Sequence, residues 1–290
     1  MVSPKFEESM HKIHLNEQKS EKVFKMVVEA PYIAQHRKAG QFIILRIDER
    51  GERVPLTIVD SNIEDGTITL YYLLVGRSTD KLSQKKPGES ILDISGPLGH
   101  ATDVNEYGTA VCVGGGIGIA PILPIASELK KKGNRVITII GGRNKELLLL
   151  EDELKDQSEE LIICTDDGSA GKKGFVTDAL KDLMAQEKID FVVAVGPVPM
   201  MKAVSEVTRD DKIKTLVSLN SIMLDGTGMC GGCRVSIDGK TQFTCVDGPE
   251  FDGHTVDFIE LMTRLGTYKD QEEAAVKHHK CRLTGEMTHG

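Results

Sequence analysis

Over the first hundred residues, apolar and polar positions alternate in short runs interrupted by turn residues. Residues 23–29, 41–47, 55–60, 67–75 and 90–94 are rich in Val, Ile, Thr and Tyr, with Ala-Gly, Asp-Glu-Arg-Gly, Glu-Asp-Gly and Pro-Gly between them. Strands at this spacing predict a β-barrel or sandwich, behind a dispensable tail of about nine residues. From about Gly108 the period changes. Residues 109–113 form an apolar run, Gly114 to Gly118 a turn, and residues 121–132 carry Ile122, Ile125, Ala126 and Leu129 at helical spacing before Gly133. Apolar runs at 136–140, 161–164 and 191–195 repeat the strand signal. Strands alternating with helices predict a parallel sheet covered on both faces. From about Leu219 long apolar runs disappear: residues 224–253 are dense in Gly, Cys and Asp, too little to build a hydrophobic core alone. Short helices are expected at 258–264 and 271–280. The pattern thus divides the chain at 1–100, 101–218 and 219–290.

Composition narrows the function. The chain has 290 residues, 40% hydrophobic and 28% charged, which is ordinary globular usage for about two domains. Lys and Arg number 36 against 44 Asp and Glu, a net charge of −8, so no global positive field attracts nucleic acid or anionic lipid. Apolar stretches such as 147–150 and 192–195 fall far short of the roughly 20 residues that span a bilayer. The opening MVSPKFEESM is charged with no apolar core behind it, and cysteines are few. Both features lead us to expect a cytoplasmic protein.

Three clusters carry candidate chemistry. Cys230 and Cys233 form C-x2-C on a glycine turn, and Cys245 returns through a hairpin at Ile237-Asp238-Gly239-Lys240. Asp225 stands where the first cysteine of a C-x4-C-x2-C iron–sulfur loop would be. The thiol triplet alone fits structural zinc as well as iron–sulfur, with His254 or Asp225 as a fourth zinc ligand, or a redox dithiol, and Asp225 alone is more often a turn residue. Cys112 and Cys164 read as core residues and Cys281 as an incidental thiol. Second, Gly114-Gly115-Gly116-Ile117-Gly118 sits between a strand and a helix, where backbone can approach a pyrophosphate at a helix start. The next strand ends Gly141-Gly142-Arg143-Asn144 without the usual ribose-binding carboxylate, and Arg143 is either a phosphate ligand or a surface charge. Third, Arg53-Val54-Pro55-Leu56-Thr57 and Gly76-Arg77-Ser78-Thr79 could cradle a diphosphate, though spacing alone does not separate them from an ordinary edge strand.

Together Gly40-Gln41-Phe42, R-V-P-L-T, G-G-G-I-G-I-A-P, Thr165-Asp166-Asp167-Gly168-Ser169, Val195-Gly196-Pro197-Val198-Pro199-Met200 and D-x4-C-x2-C-x11-C, in this order over about residues 22–257, resemble the ferredoxin reductase-like family. Within it the chain is similar to electron-transfer subunits of dihydroorotate dehydrogenase, sulfide dehydrogenase and, more closely, NADH-dependent ferredoxin:NADP oxidoreductase. The resemblance implies a β-barrel FAD-binding domain, an α/β parallel-sheet NAD-binding domain and a small C-terminal 2Fe-2S subdomain. It implies flavin contacts at Arg53, Pro55, Leu56, Thr57, Tyr72, Leu73, Gly76, Ser78 and Thr79. NAD(H) contacts are implied at Gly115, Gly116, Gly118, Arg143, Asp166, Asp167, Gly168, Gly196 and Pro197, and cluster ligands at Asp225, Cys230, Cys233 and Cys245. The implied activity is oxidoreductase electron transfer between NAD(H), FAD and the cluster, possible in an electron-bifurcating assembly. The implied partner is a larger iron–sulfur flavoprotein subunit that would serve ferredoxin and NADP(H). Two departures matter. Val195 replaces a frequent family cysteine, and Asp225 replaces the cysteine of the dihydroorotate branch. A non-catalytic zinc-containing redox sensor with a nucleotide-binding domain is the competing reading.

Overall fold

A computed structural model describes residues 10–272 and 274. The expected N-terminal tail, Cys281 and most of the helix expected over 271–280 lie outside the described residues. The first half of the chain forms β1 (His11–Gln18), β2 (Val23–Glu29), β3 (Phe42–Arg46), β4 (Arg53–Asn62), β5 (Thr67–Leu73), β6 (Ser90–Ile91) and β7 (Asp93–Leu98). They make one antiparallel sheet, ordered β6-β1-β2-β5-β4-β3-β7. Its end strands β6 and β7 are separated in sequence by Leu92 alone, so the sheet curls until its edges nearly meet as a barrel. Ile13, Met26, Ile43, Leu45, Leu70 and Tyr72 are buried in its interior. Two elements have no counterpart in the hydrophobic pattern. In β1 only Ile13 is fully buried among polar neighbours, and pairing with β2 and β6 satisfies its backbone. The short α1 (Pro31–His36) begins on a proline and buries Ile33 and Ala34.

A third addition, α2 (Arg77–Ser83), buries Leu82 in the barrel core and is also tied to it by Asn16. Asn16 donates from Nδ2 to the carbonyls of Leu82 (2.9 Å) and Lys85 (2.8 Å), and its Oδ1 accepts from the Tyr72 hydroxyl at 2.8 Å. Tyr72→Phe strands that amide oxygen and is expected to lower unfolding free energy by about 1–3 kcal/mol, measured in urea, with the fold retained.

The second half forms β8 (Thr109–Gly115), α3 (Ile119–Lys131), β9 (Arg135–Gly142), α4 (Glu151–Gln157), β10 (Glu160–Thr165), β11 (Lys172–Lys173), α5 (Val176–Gln186), β12 (Phe191–Val195), α6 (Val198–Arg209) and β13 (Lys214–Ser218). The sheet runs β11-β10-β9-β8-β12-β13 in parallel, so strand order reverses between β8 and β12. Helices α5 and α6 cover one face, α3 and α4 the other, where Val23, Val59 and Tyr71 of the barrel also pack. The sheet is not wholly parallel as expected: a seventh strand pairs antiparallel with β13.

That strand, β16 (Glu250–Asp252), comes from the cysteine segment, after the hairpin β14 (Arg234–Ile237) and β15 (Lys240–Phe243). The hairpin turns at Asp238 and Gly239, with φ of 50° and 70°, a geometry that matches strand twist. Helix α7 (Phe258–Leu265) follows, its start capped by Asp257 accepting from Ile259 and Glu260 N–H. The segment draws apolar cover from the barrel. Strand alternation sends Ile43 and Leu45 inward and turns Phe42 and Ile44 outward, onto Met223, Cys233 and Cys245.

Candidate functional site

A cavity of about 1220 Å³ opens where barrel, sheet and cysteine segment meet. It exceeds the roughly 300–1,000 Å³ of most small-molecule sites, leaving room for more than one ligand. Phe42, Pro55, Leu56, Thr57, Tyr71 and Leu73 form the barrel wall. Gly115, Gly116 and Gly118 from the β8–α3 turn and Gly196 and Pro197 after β12 face them, at the point where strand order reverses. Arg143, Asn144 and Asp166 extend that wall, and Met223 and Pro249 carry it to the cysteine segment.

Eleven of the eighteen cofactor positions expected from sequence line this cavity: Pro55, Leu56, Thr57, Leu73, Gly115, Gly116, Gly118, Arg143, Asp166, Gly196 and Pro197. Seven do not. Tyr72 is one of them: it is 1% exposed inside the barrel, while its neighbour Tyr71 lines the cavity. The period-two reading of β5, anchored on Leu70, is the signal that identifies Tyr71. Burial, then the charge of Glu153, pushes the Tyr71 hydroxyl up to about 12, so it is a neutral donor.

Arg53 stands beyond the cavity lining, on the same face of β4 as Pro55 and Thr57 and opposite Arg46 of β3. The buried Arg46 Nε has no hydrogen-bond partner among the described residues. Two guanidiniums with an unfilled donor fit a phosphate-bearing cofactor. Gly76, Ser78 and Thr79 form the self-capped start of α2. Thr79 Oγ1 accepts from the N–H groups of Val75 and Gly76, both 3.1 Å, and Ser78 donates to Glu52. Asp167 and Gly168 lie in the turn after β10, where Asp167 accepts from Ser169 N–H and hydroxyl. That turn is strapped to the cavity wall, since Asp166 N–H donates to Gly142 O (3.1 Å) and Asp167 N–H to Arg143 O (3.2 Å). Asn144 Oδ1 is a buried acceptor with no partner among the described residues, suited to a ligand hydroxyl or amide.

The cysteine loop splits into a buried and an exposed half. Cys233 and Cys245, each 1% exposed, hold their sulfurs 3.2 Å apart as free thiols. Burial, then the Cys233 sulfur beside it, pushes the Cys245 thiol up to about 12. Such a pair ionises only when a cation supplies compensating charge, as metal binding does. Cys230 is exposed, and its sulfur accepts from Gly232 N–H at 3.4 Å. The Asp225 carboxylate accepts from Thr227 N–H (2.9 Å) and Cys230 N–H (2.7 Å). Those bonds, led by Thr227, hold it below the usual carboxylate range. The loop's donors are thus three thiols and an ionised carboxylate, which suits an iron–sulfur group. Among the described residues no three His, Cys, Asp or Glu side chains converge as a ready metal site, so four-point ligation requires Cys230 and Asp225 to turn inward. His254, the alternative zinc ligand, is engaged elsewhere: its Nε2 is 3.0 Å from Thr208 Oγ1 on α6.

Comparison with known proteins agrees with this geometry. Residues 220–257 match the family described as the iron–sulfur cluster binding domain of dihydroorotate dehydrogenase B, and residues 112–206 the oxidoreductase NAD-binding domain. A dihydroorotate dehydrogenase B (NAD(+)) electron transfer subunit homolog of Thermotoga maritima is 46% identical over 254 residues, 88% of this chain and 90% of that protein. The dihydroorotate dehydrogenase B (NAD(+)) electron transfer subunit of Fusobacterium nucleatum is 35% identical, covering 81% of this chain and 93% of its own length. A solved NADH-dependent reduced ferredoxin-NADP oxidoreductase, described in connection with flavin-based electron bifurcation, superposes with a TM-score of 0.88 at 43% identity, over 93% of this chain and 98% of its own. No helix among the described residues is long and apolar enough to cross a membrane.

Proposed function

The chain belongs to the family of dihydroorotate dehydrogenase B electron transfer subunits and their homologues, and on that premise we propose that it is the NAD(H)-, FAD- and 2Fe-2S-binding subunit of a cytoplasmic oxidoreductase. One observation carries the reading: a single cavity runs from the glycine turn, past the barrel strands, to Met223 and Phe42, which pack on the buried thiol pair. When bound, FAD would supply two-electron acceptance from NADH and the 2Fe-2S cluster one-electron transfer.

The chain's own residues place these groups. The β8–α3 turn and Gly196-Pro197 offer close backbone approach to the nicotinamide nucleotide, and Asn144 an unfilled acceptor. Pro55, Leu56, Thr57 and Tyr71 give the flavin a largely apolar wall, with Arg46 and Arg53 at its edge for phosphate. Cys230, Cys233, Cys245 and Asp225 hold the cluster, and Phe42 and Met223 keep water from its inner side. Chemistry here depends on positioning rather than on an acid–base pair.

The partner is a larger iron–sulfur flavoprotein subunit, docked at the exposed rim of the cysteine loop and serving ferredoxin and NADP(H). Asp225 favours this assembly over one with dihydroorotate dehydrogenase, because the resemblance associates an aspartate there with the ferredoxin:NADP oxidoreductase branch. Anaerobically purified chain is expected to hold FAD, iron and labile sulfide, to bleach on NADH addition, and to turn over physiological acceptors only after the partner is supplied. Colourless protein containing zinc without iron overturns the reading in favour of the zinc sensor. Full turnover by the isolated chain overturns the need for a partner.

A further inference from the structure

Glu250 opens β16, directly after Pro249 of the cavity wall. Three parts of the molecule close around its carboxyl. Oε1 accepts from the Thr102 hydroxyl at 2.7 Å, in the link between barrel and sheet. Gly40 of the barrel packs so tightly that an added Cβ would lie 2.9 Å from Oε1. Oε2 is shielded from solvent with no hydrogen-bond partner among the described residues. The charged and titratable groups facing it offer no counter-charge: Asp103 beside Thr102 is itself an acid, paired with Lys214 at 2.7 Å, and Cys112 of β8 is a fully buried thiol. A lone hydroxyl donor does not fully compensate a carboxylate in such a place, so ionisation is disfavoured there. Burial pushes it up to about 7, within the physiological range.

Packed residues also join the Glu250 segment to the cysteine loop, five residues after Cys245. Segment 244–251 folds back on itself, so that an added Cβ at Gly248 would stand 3.0 Å from Thr244 O and 2.5 Å from the Phe251 ring. Phe42, which packs on Cys233 and Cys245, reaches Gly99, whose added Cβ would be 2.8 Å from both Phe42 and Pro249. Packed protein rather than open solvent therefore lies along this path, the condition under which a charge at the thiols would act on Glu250.

Building on the functional reading above, we infer that Glu250 is a proton site linked to electron arrival at the iron–sulfur centre. Its carboxylate takes one proton from solvent as the centre takes one electron originating from NADH, and returns the proton when the electron leaves for the acceptor. Local charge is thereby held constant. Thr102, a residue 7% exposed between the exposed Ala101 and Asp103, is the step nearest the surface on this route.

The test is the cluster reduction potential of the loaded, full-length chain, followed by EPR from acid to alkaline pH. In the wild type it is expected to be flat on the acid side and to fall as pH rises above about 7, because the reduced centre is stabilised by a proton that becomes harder to obtain. Glu250→Gln keeps the shape and can still accept from Thr102, and should abolish this dependence. Thr102→Val removes the donor that favours the ionised form and should move the onset to higher pH. An infrared band of a protonated carboxylic acid, present in oxidised wild type at slightly acid pH and missing in Glu250→Gln, reads the proton independently of turnover. A loaded chain with a flat potential, or a Glu250→Gln variant that follows the wild type, overturns the coupling alone. A chain that binds no iron overturns the coupling together with the functional reading.

Discussion

Cys245→Ser is expected to strip the protein of its iron–sulfur EPR signal and labile sulfide while NADH still reduces the flavin. Cys245 is 1% exposed and its sulfur lies 3.2 Å from Cys233, so both inner ligand positions depend on it. A serine hydroxyl in that apolar setting, among Phe42, Ile44 and Met223, is a much poorer anion than a thiolate and is not replaced by solvent. Transfer to one-electron acceptors should drop to background. Asp225→Ala should act more mildly: the carboxylate is at the exposed end and bonded to backbone, where water or another group can enter. Normal cluster content in Cys245→Ser would remove the buried thiol pair from the ligand set.

Gly118→Ala is expected to slow flavin reduction by NADH about 100-fold, the scale set by sub-ångström misplacement of reacting groups. An added Cβ would stand 2.6 Å from the Val195 carbonyl carbon and 2.8 Å from Gly196 Cα, both backbone atoms at the end of β12. The clash can be relieved only by separating the start of α3 from that strand end, which opens the crevice where the nucleotide wall turns. An overpacking cost of about 1–3 kcal/mol should accompany it, measurable by denaturant unfolding. Gly133, after the far end of α3 and outside the cavity lining, is the control: an added Cβ there meets nothing within 4 Å, so its φ of 93° should cost an alanine stability without slowing NADH. Unchanged NADH kinetics in stopped flow for Gly118→Ala would sink the argument.

Local pattern determined much of this protein. Alternation in residues 41–47 and 67–75 marked barrel strands, apolar runs followed by glycine turns marked the parallel sheet, and Asp238-Gly239 marked the hairpin that returns Cys245 to Cys233. Cysteine spacing carried the chemistry because C-x2-C puts two thiols on one turn, whatever surrounds them. Contacts between segments were illegible, since no local period encodes them. β1 is too polar to declare itself and is a strand because β2 and β6 need a neighbour. Tyr71, rather than Tyr72, reaches the cavity because of which face of β5 the barrel closes upon. The cysteine segment looks unable to form a core because its apolar cover, Phe42 and Ile44, lies some two hundred residues upstream. Glu250 passes for a surface charge in sequence. Only the closure of barrel, linker and sheet around it withholds water from its carboxyl, and solvent exclusion is a property of the packed whole.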